Sequence, residues 1–180
     1  WGSNGEGRLG DGTTEQRMTP VRAGSVDDWV GVATGNYHTC GLHADGMLSC
    51  WGNNGNGQLG IGSMESSFVM PVPVSGGRTW DAVDAGGNGT CATDIDGDVW
   101  CWGGNWYHQA GRPGVAYHQP SPFPVYLDST LTVMAAGSYH SCAIDDAQDL
   151  WCWGTASSGQ LGLGPDMTND QPLPHYVASG

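Results

Sequence analysis

The chain has 180 residues, 31 of them Gly and 10 Pro, and a net charge of −13 from 18 acidic residues against five Arg and no Lys. A surface of that sign repels nucleic-acid phosphates and anionic membranes, so nucleic acid is excluded as a partner, and no apolar run approaches the roughly 18 residues of a membrane span. Gly and Pro are about twice as frequent as in an average chain, and no window holds apolar residues at helical spacing, so the chain reads as all-β with many turns.

In chain order, four Trp-Gly pairs organise the sequence: Trp1-Gly2, Trp51-Gly52, Trp102-Gly103 and Trp153-Gly154, spaced by 50, 51 and 51 residues. Each opens a Gly-rich stretch: WGSNGEGRLGDG, WGNNGNGQLGIG, WGGNWYHQAGRPG and WGTASSGQLGLG. A Pro-containing element follows each time (TPVRAG, MPVPVSG, SPFPVYL, QPLPHYV). Three β-rich halves come next: WVGVATGNYHTCGLHADGMLSC, WDAVDAGGNGTCATDIDGDVWC and LTVMAAGSYHSCAIDDAQDLWC. Repetition at this period, with short β-runs and turns at every step, predicts a β-propeller. A single repeat domain over 1–180 then divides into units 1–50, 51–101 and 102–152 with a partial unit 153–180, about three and a half repeats.

The combination of WGNNGNGQLG, a Pro-Val element, VATGNYHTC and DGMLSCWG resembles the repeat of the regulator of chromosome condensation family. The likeness covers essentially the whole chain, with several sub-motifs recurring in order at one spacing. It implies propeller blades of four-stranded antiparallel sheets, commonly seven to a ring. Three and a half repeats leave the ring open, so the chain is expected to be part of a longer propeller or to be completed by another copy of itself as a homo-oligomer. The start at Trp1, without an initiator Met, favours an excised piece. Plant relatives that sense ultraviolet light do so with clustered Trp among cationic residues; five Arg and no Lys make a poor match to that arrangement.

The six Cys fall at 40/50, 91/101 and 142/152, always ten apart, and each pair flanks a turn. Residues five before and five after a hairpin centre lie opposite each other, within disulfide range. Three staples are therefore expected, Cys40–Cys50, Cys91–Cys101 and Cys142–Cys152, and zinc is not, because its ligands cluster at closer spacing and converge. Disulfides imply an oxidising setting: secreted, periplasmic or cell surface. That setting departs from the nuclear members of the family. Alternation along DVWCWG and DLWCWG sets Trp100 with Trp102, and Trp151 with Trp153, on one sheet face and the Cys on the other.

Asp94-Ile95-Asp96-Gly97-Asp98 carries carboxylates at alternate positions, as a calcium loop begins, but the twelfth position is Asn105 rather than Glu. An Asp-Gly hairpin turn is the ordinary reading of the same residues; Asp94, Asp96 and Asp98 are the calcium alternative. His38 and His140 share a repeat position and read as hydrogen-bonding struts. GNNGNG lacks the Lys-Ser/Thr that grips phosphate, and no nucleophile elbow or metalloprotease motif occurs, so the chain reads as non-enzymatic and without a cofactor.

The repeat breaks its own rule once. GNWYHQAGRPGVAYHQPSPF places Trp106, Tyr107, His108, Arg112, Tyr117 and His118 where other units carry small residues. Aromatic residues and Arg are what protein interfaces favour, so this loop is the candidate contact for a protein partner. The functional expectation is an extracellular protein-binding scaffold, with secreted family members that inhibit β-lactamases as the nearest implied precedent. A structural subunit of an extracellular assembly, or a carbohydrate- or calcium-binding module, is the alternative. Thiol titration of the native protein is expected to find no free Cys; six titratable thiols would overturn both the staples and the compartment.

Overall fold

The computed structural model describes residues 1–114, 117–127 and 129–178. Twelve strands make three four-stranded antiparallel sheets, each in simple chain order. Blade 1 holds β1 (Trp29–Thr34), β2 (His38–His43), β3 (Leu48–Asn53) and β4 (Ser67–Pro73). Blade 2 holds β5 (Trp80–Ala85), β6 (Gly89–Asp94), β7 (Val99–Gly104) and β8 (His118–Pro124). Blade 3 holds β9 (Leu131–Ala136), β10 (His140–Asp145), β11 (Leu150–Gly154) and β12 (Gln171–Ala178). No helix occurs among the described residues, hence none long and apolar enough to cross a membrane.

Strands β1, β5 and β9 contact one another across blades, so the first strand of each sheet is innermost and the fourth lies at the rim. The rim strands are the Pro-containing elements, with Pro71 and Pro73 in β4, Pro120, Pro122 and Pro124 in β8, and Pro172 and Pro174 in β12. Proline has no N–H to give a ladder, so it is tolerated where one side of the strand is unpaired, and there it blunts the edge against further pairing. The mid-sheet strand β2 is buried along its whole length, because blades or loops cover both of its faces.

Each blade takes its strands from two sequence units, the first three up to a Trp-Gly pair and the rim strand after it. Residues 153–178 consequently finish blade 3. The unpaired piece is residues 1–28, where Gly2 bridges Arg17 as Gly52 pairs with Phe68. That piece is the outer part of a further blade.

The Trp-Gly pair marks a β-bulge. The register shifts between Cys50 and Gly52, Cys101 and Gly103, and Cys152 and Gly154 where each third strand meets the rim strand. Gly52 has φ 98°, and a Cβ there would lie 2.5 Å from the Tyr37 carbonyl oxygen. The hairpins before these bulges are stapled as expected, with Cys40 opposite Cys50, Cys91 opposite Cys101 and Cys142 opposite Cys152. Gly46 and Gly97 hold the left-handed turn position; the third hairpin puts Gln148 there, at φ 68°.

The core lies between blades. Cys40, Leu42, Leu48 and Cys50 of blade 1, with Leu59 from its β3–β4 loop, pack against Trp80, Ala92 and Trp102 of blade 2. Cys91, Val99 and Cys101 of blade 2, with Ala110 and Val125, pack in the same way against Leu131, Ala143 and Trp153 of blade 3. The Trp face thus meets the preceding blade and the disulfide face the following one, as alternation implied.

A polar clamp recurs inside this layer. The Gln58 carbonyl accepts from Trp102 Nε1 (3.0 Å) and Thr90 Oγ1 (2.8 Å) of the next blade. The Gln109 carbonyl accepts from Trp153 Nε1 (3.0 Å) and Ser141 Oγ (3.0 Å), and the Arg8 carbonyl from Trp51 Nε1 (3.0 Å) and Thr39 Oγ1 (2.9 Å). The buried Asn54 shapes the loop that presents Gln58, accepting from Leu59 N and donating to the Ser63 carbonyl. Gly60 completes it, since a Cβ there would lie 2.7 Å from Trp102 Nε1. Replacing Trp102 by Ala is expected to cost about 3–5 kcal/mol by urea denaturation, from lost burial and a cavity between blades. Trp102→Phe, which keeps one aromatic ring and loses the hydrogen bond and part of the volume, should cost less.

Candidate interaction surface and its polar nodes

Strand direction places the β3–β4 and β7–β8 loops at the same end of the blades as the β1–β2, β5–β6 and β9–β10 turns. The β2–β3, β6–β7 and β10–β11 hairpins lie at the opposite end. The six residues of the divergent loop all sit at the first end, between β7 and the first residue of β8.

They form three groups. Trp106 and His118 meet edge to face at 5.0 Å, with Trp106 lying over Gly104, where a Cβ would come within 2.6 Å of its ring. Arg112 turns to the rim, its guanidinium 3.9 Å from the centre of the Phe123 ring and hydrogen-bonded to Gln119 Oε1. Tyr107 crosses to blade 3 and meets Tyr139 edge to face at 5.1 Å. His108 takes φ 62° at the site that Gly57 fills one unit earlier. The Tyr117 ring is 67% exposed, and its carbonyl accepts from Asn105 N (2.8 Å), which closes the loop on itself.

Tyr139 joins this end of the molecule although it is no part of the loop. Tyr37 is its counterpart in blade 1, with the Arg8 guanidinium 5.0 Å from its ring centre. The signal was in the sequence: NYH and SYH place both Tyr one residue before the recurring His.

The acidic turn of blade 2 lies at the other end. Asp94 is buried and its carboxylate is fully engaged: Oδ1 accepts from Asp96 N (3.2 Å) and Asp98 N (3.0 Å), Oδ2 from Trp100 Nε1 (2.9 Å) and Arg78 Nη1 (3.4 Å). Asp96 and Asp98 are exposed. Among the described residues no group of three or more His, Cys, Asp or Glu is placed to hold a metal ion.

The Asp94 node recurs with changed chemistry. In blade 3, Asp145 accepts from Ala147 N, Asp149 N and Trp151 Nε1. Its burial acts to raise the carboxyl pKa, but the bonds from Trp151, Asp149 and Ala147 outweigh that and hold it below the usual range. In blade 1 the same positions are His43 and Ser49. His43 Nδ1 lies 2.9 Å from Asp28 Oδ1 and His43 Nε2 lies 3.0 Å from Ser49 Oγ.

His38 is a strut, as its recurrence suggested. Its Nε2 lies 2.8 Å from Thr90 Oγ1, and Thr90 spends its one proton on the Gln58 carbonyl. Nε2 therefore donates, leaving Nδ1 as the bare nitrogen, which is buried and has no hydrogen-bond partner. Burial pushes the His38 pKa down to about 4. His140 is only half-buried.

Stacked four-stranded antiparallel blades, joined so that each sheet shares two repeats, define a β-propeller protein. The pattern of the Regulator of chromosome condensation (RCC1) repeat matches residues 1–42, 45–93 and 96–144, and a second form of that repeat matches 29–58 and 132–160. The chain belongs to this family. It is 30% identical over 187 residues to the Ultraviolet-B receptor UVR8 of Arabidopsis thaliana, covering 99% of this chain and 41% of the receptor. It is 31% identical over 181 residues to the mitochondrial RCC1 domain-containing protein RUG3 of the same plant, covering 90% and 39%. The yeast RCC1 protein Prp20, solved bound to Kap60, superposes with a TM-score of 0.88 at 22% identity, covering 99% of this chain and 44% of that one. The chain thus spans about two-fifths of the length of these relatives.

Because the unfolded chain binds a proton at His38 near pH 6.5 and the folded one only near 4, stability from this site is whole above pH 6.5 and falls as pH drops towards 4. The loss amounts to about 3 kcal/mol. Urea midpoints across that window should fall less steeply in His38→Gln than in the unsubstituted protein; parallel profiles would contradict this.

Proposed function

We propose that the chain is part of an extracellular protein-binding propeller whose contact surface is the β7–β8 loop with the neighbouring Tyr139. The observation that carries this is the exposure of Tyr107 and Tyr117 on a loop where other units keep small residues. Neither side chain takes part in the inter-blade clamp, and Tyr107 stays 40% exposed even where it meets Tyr139 of blade 3. Large aromatic rings bring contact area at low entropic cost, which suits an interface centre. A partner of basic surface is favoured by the net charge of −13. The Kap60 complex of the yeast relative supports the reading that this fold serves as a protein scaffold.

The extracellular part of the reading rests on three disulfides, since such bonds persist in oxidising compartments: secreted, periplasmic or cell surface.

The test begins with a partner isolated on the immobilised chain from the extracellular fraction and titrated against variants. Trp106→Ala and Tyr117→Ala should each weaken binding by about tenfold or more at unchanged melting temperature. Unchanged affinity in both, with folding retained, would sink the assignment.

A further inference from the structure

Blade 1 departs from its sister blades at one node, and the departure has a chemistry of its own. Blades 2 and 3 tie the hairpin to its surroundings with an Asp and a Trp, Asp94 with Trp100 and Asp145 with Trp151. Those pairs act as locks. Blade 1 substitutes His43 for the Asp and Ser49 for the Trp. A groove of about 160 Å³ runs beside this node, with His43 and Ser49 in its wall, bounded by Val26, Trp29, Met70 and Pro71.

Three groups then stand in series. Asp28 Oδ1 is 2.9 Å from His43 Nδ1, and His43 Nε2 is 3.0 Å from Ser49 Oγ. The bond to His43 holds the Asp28 carboxyl below its usual range, so it is a carboxylate and can only accept. The proton of a neutral imidazole therefore sits on Nδ1, and the Nε2 lone pair faces the Ser49 hydroxyl. The Trp29 ring, 4.1 Å from the imidazole centre, restrains its plane. A hydroxyl, a base with its lone pair on that hydroxyl, and a carboxylate that fixes the base's tautomer are the requirements for an activated serine.

We propose that Ser49, His43 and Asp28 form a hydrolytic site for short-chain carboxylic esters. Ser49 Oγ bonds to the ester carbonyl carbon while its proton passes to His43 Nε2. The bond from that carbon to the alkoxy oxygen then breaks, and the departing alcohol takes the proton from His43. Water from the open groove attacks the acyl-Ser49, giving a proton to His43, which returns it to Ser49 Oγ as the carboxylic acid leaves. Ser49 and His43 are the catalytic residues; Asp28 is a positioning residue. The small volume suits an acetyl or propionyl group. This site lies at the hairpin end of the blades, away from the aromatic loop, so it stands or falls independently of partner binding.

The test uses the intact chain with p-nitrophenyl acetate and with a fluorophosphonate probe. The unsubstituted protein should release p-nitrophenolate with turnover and gain one phosphonyl group on the peptide containing Ser49. Ser49→Ala and His43→Gln should lose on the order of a hundredfold or more in kcat. Asp28→Asn should lower kcat at unchanged KM, with Asp28→Glu restoring most of it, a pattern that a merely structural Asp28 would not give. Because labelling is read on the unsubstituted protein, misfolding of a variant does not obscure the result. Absence of phosphonyl on Ser49 in folded, disulfide-intact protein overturns the proposal, as does hydrolysis that persists undiminished in Ser49→Ala.

Discussion

The structure depends on one contact made repeatedly: an indole lying on the disulfide face of the preceding blade, with its N–H on a loop carbonyl. No single four-stranded sheet here can bury its own faces. The first two disulfide hairpins become core only when the Trp-bearing face of the next blade closes over them. Stability of a stacked array is then a sum of neighbour interfaces, and each interface needs the same few groups in the same places. That requirement is why the loop keeps Gly beside the indole, Gln or its equivalent at the accepting carbonyl, and a buried Asn beneath it in the first three units.

A constraint so local leaves the rest of each repeat free to vary. The β7–β8 loop still presents the Gln109 carbonyl to Trp153, but around that atom it carries Trp106, Tyr107 and Tyr117 instead of small residues. The node beside each hairpin is held to a looser rule. It must pair a buried acceptor with a donor, and Asp94 with Trp100, Asp145 with Trp151, and His43 with Asp28 and Ser49 all meet it. The blade 1 solution places an imidazole between a carboxylate and a hydroxyl, with both ring nitrogens engaged.

The two ends of the blades therefore differ in character. One carries turns with Tyr37 and Tyr139 and the aromatic loop, while the other carries the stapled hairpins, the acidic turns and the His43 node. In the disulfides, short covalent loops reinforce hairpins that already pair in register, and their contribution is limited to restricting the unfolded chain.

Much of the fold was legible in the sequence because repetition converts a weak local signal into a strong one. Trp-Gly pairs 50 or 51 residues apart set the repeat, Cys ten apart set the hairpin register, and alternation in DVWCWG set which face carries the indole. Tertiary structure alone decided where the blades begin and end, since rim strands belong to the unit that follows in sequence, and so showed residues 1–28 to be the unpaired piece. It also divided the six loop residues into three groups, because aromatic and guanidinium side chains are long enough to choose partners on β8 and blade 3. Asp28, His43 and Ser49 carry no motif or spacing that singles them out, and neither spacing nor period relates the residue before β1 to a β2–β3 hairpin. Only the packing of that residue against the hairpin brings a carboxylate within hydrogen-bonding distance of an imidazole, because that contact is made through space between segments the chain holds 15 residues apart.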